Sequence, residues 1–331
     1  MARLELFETF CLPSILAQTN KNFLWVIRTD PDLHPSLLSK LLALLEGRPR
    51  IILIGSNYNP EGFGRGESGS FGNYLRADNQ NRTEMSASIL SGDHTLLEES
   101  FANSASGAVL LETRLDADDG LHRDFVKTVQ QEAKYLMRSE GNPVWRIWCI
   151  SFNIEWHPLN PFPESSSINK TFNEGYLVMY SDPNICVTPG LTFGYSTGAD
   201  RSSISGRLRH DEITRKVTPC TPEKDKTDKT DKIEVNCFSR LANLSPGAVR
   251  SRTTTSAGMD NVVTGIEAFD KKNKLKAASK NKQLAEKFNK QFFAQDMMWN
   301  GLHILFSVSR QRAKDARKLM MDRMQQIAED K

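Results

Sequence analysis

The segment Ala108-Val-Leu-Leu111, followed by Thr113-Arg-Leu-Asp-Ala-Asp-Asp-Gly120, joins an apolar run to an acidic turn. The apolar run predicts a strand that is buried on both faces, as in a sheet covered by helices. A helix from about Arg123 to Arg138 is predicted to follow, since apolar residues recur there at helical spacing. Ligands of open α/β sheets bind beyond the carboxyl ends of strands. The acidic turn therefore lies where a binding site is expected.

The residues before this segment alternate between helical and extended patterns. Four elements are predicted in order: an amphipathic helix over Leu4–Ile15 interrupted by Pro13, a strand at Phe23–Ile27, a helix at Ser36–Leu45 and a strand at Ile51–Ile54. Pro35 is predicted to begin the second helix and Gly47 to end it. This order with short connections predicts an α/β fold with a parallel sheet.

The second half of the chain is predicted from weaker patterns. Further strands are expected at Val144–Ile150, Tyr176–Tyr180 and Ile185–Phe193, and a last helix from Leu302 to about Ile327. Composition divides the chain into an α/β domain at residues 1–260 and a helical extension at residues 261–331. Within the domain, residues 56–93 are predicted as a mobile loop and residues 221–234 as a charged surface insertion.

The overall composition excludes several classes of protein. With 39% hydrophobic and 25% charged residues, the 331-residue chain is an ordinary globular protein rather than a disordered one. Its 43 basic and 40 acidic residues give a net charge of +3, which is too balanced for a dedicated nucleic-acid-binding protein. No apolar run approaches the ~18–20 residues that a transmembrane helix needs.

The five cysteines predict no metal site, because none is spaced as in metal-binding motifs. A core of the size expected here needs no disulfides, so buried free thiols are predicted. Cys220 and Cys237 are the exception, since they bracket a polar segment and would close it with a disulfide in an oxidising compartment. The cysteines do not decide between an oxidising and a reducing compartment.

The acidic turn carries the chemistry that the sequence indicates. Carboxylates at positions i and i+2 of an extended backbone point the same way, and they can hold Mg²⁺ or Mn²⁺ through oxygen. Asp116 and Asp118 have this spacing. Such an ion neutralises the pyrophosphate of a nucleotide-sugar and stabilises the leaving nucleotide. The alternative is an acidic turn that only caps the next helix.

Three other motifs fit less well. An EF-hand loop beginning at Asp116 would need Glu where the chain has Lys127. A haloacid-dehalogenase-type phosphatase has a similar Asp-x-Asp pattern but usually has Thr or Val in place of Gly120. Gly64-Arg-Gly-Glu-Ser-Gly69 matches a dinucleotide fingerprint but lacks the adjoining strand and helix, so it predicts a flexible lid loop.

Several segments together match the pattern of one family; they are Arg3–Thr19, Phe23–Ile27, Thr113–Asp119, Cys186–Phe193 and Arg250–Met259. They resemble the putative rhamnosyl transferase family of GT-A-type glycosyltransferases, most clearly over residues 3–140. The resemblance implies a GT-A-like nucleotide-sugar-binding sandwich with a mostly parallel central sheet. It also implies a dTDP-, UDP- or GDP-sugar donor, a divalent metal (Mn²⁺ or Mg²⁺) and transfer to a hydroxyl of a glycan or other acceptor, with inversion.

The resemblance assigns roles to the acidic turn. Asp116 is expected to bind the ribose of the donor or the water shell of the metal, and Asp118 to coordinate the metal directly. Asp119 is expected to bind the metal or to orient the donor sugar. Arg114, on the same strand end, is expected to pair with one of these carboxylates or with a phosphate, or else to form a structural salt bridge.

An inverting transfer also needs a base that takes the proton of the acceptor hydroxyl. Asp211 is the expected base, Glu212 the second choice and Glu155 the third. Arg250 and Arg252 are expected to clamp the donor diphosphate, unless they lie in a solvated loop. A catalytically inactive relative that binds a nucleotide-sugar or glycan is the second functional hypothesis, and a metal-dependent phosphohydrolase is the third.

A GT-A sheet normally begins with a central strand before the first helix, whereas Met1 lies directly before that helix here. The resulting hypothesis is that the chain is a fragment or an incomplete gene model, with the strand and any membrane anchor upstream. A transcript with no in-frame apolar strand ahead of Met1 would contradict it. The chain as given is expected in the cytoplasm, and in the Golgi or secretory lumen if an anchor precedes it.

Overall fold

The computed structural model describes residues 2–55, 89–93, 95–96, 99, 108–137, 145–159, 172–181, 186–196, 237–253 and 295–329. Several sequence predictions concern residues outside these ranges, namely most of the 56–93 loop, the 221–234 insertion, Asp211, Glu212 and Cys220. These remain predictions.

Residues 2–55 form the predicted elements in the predicted order, although Pro13 lies within the first turn of α2 and the irregularity of the first helix is a π-helical turn before it. They form a helical segment of α1 (Ala2–Leu6), a π-helical turn (Phe7–Cys11) and α2 (Leu12–Leu16), followed by β1 (Trp25–Thr29), α3 (Pro35–Leu45) and β2 (Ile51–Gly55). Pro35 lies in the first turn of α3, and Gly47 beyond its end has a φ of 67°, a left-handed conformation that favours glycine. Both predicted helix ends are confirmed.

The later elements are, in chain order, β3 (Ile89–Ser91), β4 (Leu110–Arg114), β5 (Asp119–Leu121), α4 (Phe125–Leu136), β6 (Trp145–Cys149), β7 (Phe152–His157), β8 (Tyr176–Ser181), β9 (Leu191–Tyr195), β10 (Phe238–Arg240), β11 (Ala248–Ser251), α5 (Gln295–Phe306) and α6 (Arg310–Glu329). The C-terminal bound of the loop predicted at residues 56–93 is wrong, because its last residues include β3, which pairs with β2. The leucines of β4 are half-buried rather than buried on both faces.

The described strands form three sheets. Their strand orders are β1-β2-β3, β10-β6-β9-β4 and β5-β11-β7-β8. Three strand pairs are parallel (β1–β2, β10–β6 and β11–β7) and five are antiparallel. The α/β class is confirmed, but the expected mostly parallel sheet is wrong for the described strands. β1 and β4 are each at the edge of a described sheet, so a further strand could pair with either of them. The hypothesis of a further central strand remains a prediction.

The third sheet packs one face against helices from both ends of the chain. Its core contains residues of α1, the π-helical turn, the sheet, α5 and α6, including Leu6, Phe10, Trp156, Trp299 and Phe306. The rings of Phe10 and Trp156 lie 5.1 Å apart. The described helices of the predicted 261–331 extension are therefore part of the main body, and they are two helices instead of one. None of the described helices is long and apolar enough to cross a membrane.

Two cysteines predicted as free thiols are bonded to each other. Cys149 at the end of β6 and Cys186 before β9 form a disulfide, with their Cα atoms 5.4 Å apart, and both are fully buried. Cys11 is a buried free cysteine, as predicted. The prediction failed for the bonded pair because the two residues meet only through the pairing of β6 with β9, which their spacing does not indicate.

Candidate functional site

The acidic turn lies between β4 and β5. Asp119 donates its backbone N–H to the Asp116 carbonyl oxygen at 3.1 Å, so residues 116–119 form a turn. The extended backbone that the sequence predicts for Asp116 and Asp118 is therefore wrong. The turn packs against the π-helical segment, and a Cβ atom at Gly120 would lie 2.9 Å from the Phe10 carbonyl oxygen. Glycine at this position allows that close approach.

The carboxylates of Asp118 and Asp119 have different partners. The Ser251 hydroxyl donates to Asp118 Oδ2 at 3.1 Å, whereas Asp119 Oδ2 lies 3.9 Å from Arg250 Nε. Both aspartates are 4% exposed, and Asp116 is exposed. Two contacts thus connect the turn to β11, namely the Asp118–Ser251 hydrogen bond and the Asp119–Arg250 ion pair.

Strand register extends this contact across the third sheet. Asp119 on β5 pairs with Arg250 on β11, and Arg250 pairs with Glu155 on β7. Paired residues project from the same face of a sheet, and residues two apart on a strand share a face. Arg252, His157 and Asn153 therefore lie on this face too. We call these six residues the charged face; the apolar core with α5 and α6 covers the other face.

Glu155 holds Arg252 in place on the charged face. Arg252 donates from Nε to Glu155 Oε1 at 2.8 Å and also from Nη2 to the same oxygen, and His157 Nε2 lies 3.4 Å from Glu155 Oε2. Burial would raise the pKa of Glu155, but His157 and Arg252 outweigh it and lower this pKa to about 2. So weak a base is poorly matched to proton abstraction near neutral pH, which argues against the third choice of base.

The pKa values of two carboxylates of the acidic turn are raised, although Arg3, Arg114, Arg250 and Arg252 act against the rise. Burial raises the pKa of Asp119 well above its usual value. The charge of Arg250 lowers this pKa, whereas the charges of Asp118 and Asp116 raise it further. Desolvation by the surrounding protein and then the charge of Asp118 also raise the pKa of Asp116, although the residue is exposed at the surface. A bound cation would lower both pKa values. Within the described ranges, no three His, Cys, Asp or Glu side chains form a ready-made metal site.

The arginines are brought to the site by two strands. Arg250 and Arg252 lie on or directly after β11 with 15% of each side chain exposed, so the solvated-loop alternative is wrong. The guanidinium of Arg114 lies over the Phe193 ring, 5.2 Å from its centre, and its charge lowers the pKa of Asp116. Arg114 thus has a structural contact as well as the predicted electrostatic one.

The structure brings together most of the predicted residues and adds two that the sequence analysis missed. Asp116, Asp118, Asp119, Arg250 and Arg252 meet around β5 and β11, whereas Asp211 and Glu212 lie outside the described residues. Asn153 and His157 were missed. Alternation along Phe152-Asn-Ile-Glu-Trp-His157, with apolar Ile154 and Trp156 on one side, was the signal for this strand.

One family model, described as putative rhamnosyl transferase, matches residues 1–61. It confirms the resemblance for that part of the chain and indicates a glycosyltransferase; the acidic turn lies beyond the matched residues. No curated protein matches the chain. No solved structure matches it either.

The ion pair of Glu155 predicts a specific acid sensitivity. Its pKa falls from 4.5 in the unfolded chain to about 2 in the folded protein, so its stabilisation is complete above pH ~4.5 and is lost as the pH falls toward 2. We expect Glu155→Gln to lower the free energy of unfolding by about 3 kcal/mol at pH 7 and by progressively less below pH ~4.5. Urea unfolding at pH 7, 5, 4 and 3 measures the difference.

The exposed Glu46, beyond α3, provides the control. Glu46→Gln should leave the stability almost unchanged at every pH, since an exposed carboxylate makes a small contribution. A difference between wild type and Glu155→Gln that stays constant from pH 7 to pH 3 would contradict the predicted titration.

Proposed function

We propose that this protein is a glycosyltransferase that moves a sugar from a nucleotide-diphosphate-sugar to an acceptor hydroxyl with the help of a divalent metal. The observation that carries the class of enzyme is the family match over residues 1–61. The details of the site are supported by the buried carboxyl groups of Asp118 and Asp119 beside Arg250.

The metal would be held by part of the acidic turn and by the substrate. Mg²⁺ is commonly bound through one or two carboxylates together with substrate phosphates, so a complete protein cage is not required. Asp118 and Asp119 are the proposed ligands, with Asp116 at the donor or the water shell. When bound, the ion would supply positive charge against the diphosphate.

The arginines would complete the donor site. Arg250 is next to Asp119 and 15% of its side chain is exposed, so its guanidinium can contribute to the binding of an anionic ligand. Arg252 is already bonded to Glu155, which fixes its guanidinium at the edge of the site. We propose that Arg250 contacts the diphosphate and that Arg252 shapes the charged face.

The transfer itself forms one bond and breaks one. The acceptor oxygen bonds to the anomeric carbon, while the bond from that carbon to the diphosphate oxygen breaks and its electron pair leaves with the nucleoside diphosphate. The proton of the acceptor hydroxyl passes to a base, for which Asp211 and then Glu212 remain the proposed residues. The family description makes rhamnose the first candidate for the transferred sugar.

Nucleotide binding with and without Mn²⁺ tests the proposal. UDP, GDP and dTDP, each with 1 mM Mn²⁺ or with EDTA, are added to the full chain, and thermal shifts are compared. One of the three is expected to stabilise the protein only with Mn²⁺, since a ligand at about 100 times its Kd stabilises by roughly 2.7 kcal/mol. Release of nucleoside diphosphate from the matching nucleotide-sugar then measures turnover.

The outcomes separate the three functional hypotheses. Metal-dependent binding with turnover supports the transferase, and binding without turnover supports the inactive relative. If no nucleoside diphosphate binds and a phosphatase activity is lost in Asp116→Asn, the phosphohydrolase is correct. Asp322→Asn, at an exposed position on α6, is the control for charge removal and should bind as the wild type does.

A further inference from the structure

The turn between β10 and β11 presents a short motif at the surface of the protein. Residues Asn243-Leu-Ser245 form a sequon, the pattern Asn-Xaa-Ser/Thr (Xaa not proline) that accepts N-linked glycans in secreted proteins. Asn243 and Ser245 are exposed, whereas Leu244 between them is buried. The two side chains that the motif requires are therefore accessible from solvent.

The turn is anchored to the core on both sides of Asn243. Leu241 and Leu244 belong to the apolar cluster that also contains residues of α4. The Leu241 N–H donates to the Cys149 carbonyl oxygen at 3.0 Å, and the Gly247 N–H donates to the Phe152 carbonyl oxygen at 2.9 Å. Asn243 thus lies on a short surface turn between buried anchor points, a position that accommodates a bulky, solvated group.

The cysteines near this turn indicate the compartment in which such a motif is used. Cys149, whose carbonyl oxygen accepts from Leu241, is bonded to Cys186. Cys237, directly before β10, takes part in a disulfide as well. Stable disulfides form in oxidising compartments such as the lumen of the endoplasmic reticulum and are rare in the cytosol. Secreted proteins receive their N-linked glycans in the same lumen, so the bonded cysteines and the sequon independently indicate one compartment.

We propose that Asn243 carries an N-linked glycan. In the transfer, Asn243 Nδ2 forms a bond to the anomeric carbon of a lipid-linked oligosaccharide diphosphate. The bond from that carbon to the diphosphate oxygen breaks, its electron pair leaves with the lipid diphosphate, and the amide nitrogen releases one proton. This inference goes beyond the proposed function and does not depend on it, because here the protein is the acceptor of a glycan that another enzyme transfers.

The native protein gives the decisive test. It is purified from its source and treated with peptide-N-glycosidase in water labelled with heavy oxygen, which converts each glycosylated asparagine into a labelled aspartate. Peptide mapping by mass spectrometry then identifies the modified positions; mapping is needed because the sequence has two further sequons, at Asn81 and Asn169. We expect the label at Asn243. A native protein whose Asn243 is unlabelled overturns the inference.

Matched variants attribute the glycan to the motif. The full chain is expressed in yeast behind a cleavable secretory signal peptide, and its mass is compared before and after the glycosidase. Asn243→Gln and Ser245→Ala should each carry one glycan fewer than the wild type, whereas Ser245→Thr should keep it, because threonine also completes the sequon. Asn300→Gln, exposed on α5 and outside any sequon, is the control and should keep every glycan. A glycan at residue 243 that is missing from the wild type, or that persists in Ser245→Ala, contradicts the inference.

The state of the cysteines separates the two ways in which the inference can fail. The native protein is unfolded in guanidinium chloride with iodoacetamide and without reductant, and its peptides are mapped. Cys11 should be alkylated, whereas Cys149, Cys186 and Cys237 should not. Alkylated Cys149 together with an unlabelled Asn243 would mean that the protein matures in a reducing compartment, which overturns the premise and the inference. Bonded cysteines with an unlabelled Asn243 would leave the premise intact and still overturn the inference.

Discussion

Replacing Asp119 with asparagine is expected to make the metal-free protein more stable at pH 7 while lowering sugar transfer by a factor of roughly 100 or more. The folded protein raises the pKa of Asp119 well above its unfolded value, mainly through burial. The folded state therefore binds more protons than the unfolded state between these two pKa values, and stability falls as the pH rises through that window. Asparagine does not ionise, so it avoids this loss of stability, but it also lacks the negative charge that a metal requires.

The two halves of this prediction are measured separately. Thermal unfolding in EDTA between pH 5 and pH 8 should show Asp119→Asn above the wild type, with a gap that widens as the pH rises toward the folded pKa of Asp119 and is constant above it. Release of nucleoside diphosphate with Mn²⁺ gives the loss of turnover. Asp322→Asn on α6 should follow the wild type in both measurements. An Asp119→Asn protein that is fully active, or less stable throughout this pH range, would contradict the role assigned to the buried carboxylate.

Loss of the Cys149–Cys186 disulfide is expected to cost about 4 kcal/mol, from the chain-entropy relation for a separation of 37 residues. Cys149→Ala, Cys186→Ala and the double variant should lose nearly the same stability, because removal of either cysteine already breaks the bond. Their effects are thus strongly non-additive. Urea unfolding without reductant, with unfolding followed by tryptophan fluorescence, measures all three.

Cys11→Ala is the matched control for this disulfide, since Cys11 is also buried but is free. Its replacement should remove only the packing of one sulfur atom and should add independently to the other changes. Small and additive losses for Cys149→Ala and Cys186→Ala would mean that the two thiols are not bonded. A bonded pair is typical of proteins from oxidising compartments, which favours the secretory alternative for this chain.

Local patterns were sufficient to predict the first part of the fold. Pro35 and Gly47 mark the ends of α3, and the apolar runs at Phe23–Ile27 and Ile51–Ile54 correspond to β1 and β2. These features depend on residues close together in the sequence, such as the fixed φ of proline and the tolerance of glycine for positive φ. The acidic turn was located for the same reason, although its backbone was predicted as extended.

The charged face could not be predicted because it depends on contacts between distant parts of the chain. Asp119 meets Arg250 through the β5–β11 pairing, and Arg252 meets Glu155 across β11 and β7. The strand that carries Arg250 and ends just before Arg252 has four residues and no long apolar run, so its sequence suggests a loop. The burial of Asn153 follows from the register of β7 with β11, which no local pattern specifies.

The shared core of α1 and the last two helices has a consequence for synthesis of the protein. Leu6 and Phe10 are made long before their core partners Trp299 and Phe306. The early apolar side chains are therefore not covered by these partners until α5 has been made, and contacts between such distant residues form slowly. A nascent chain that stops before α5 leaves Leu6, Phe10 and Trp156 uncovered by these partners, and chaperones and proteases recognise such surfaces.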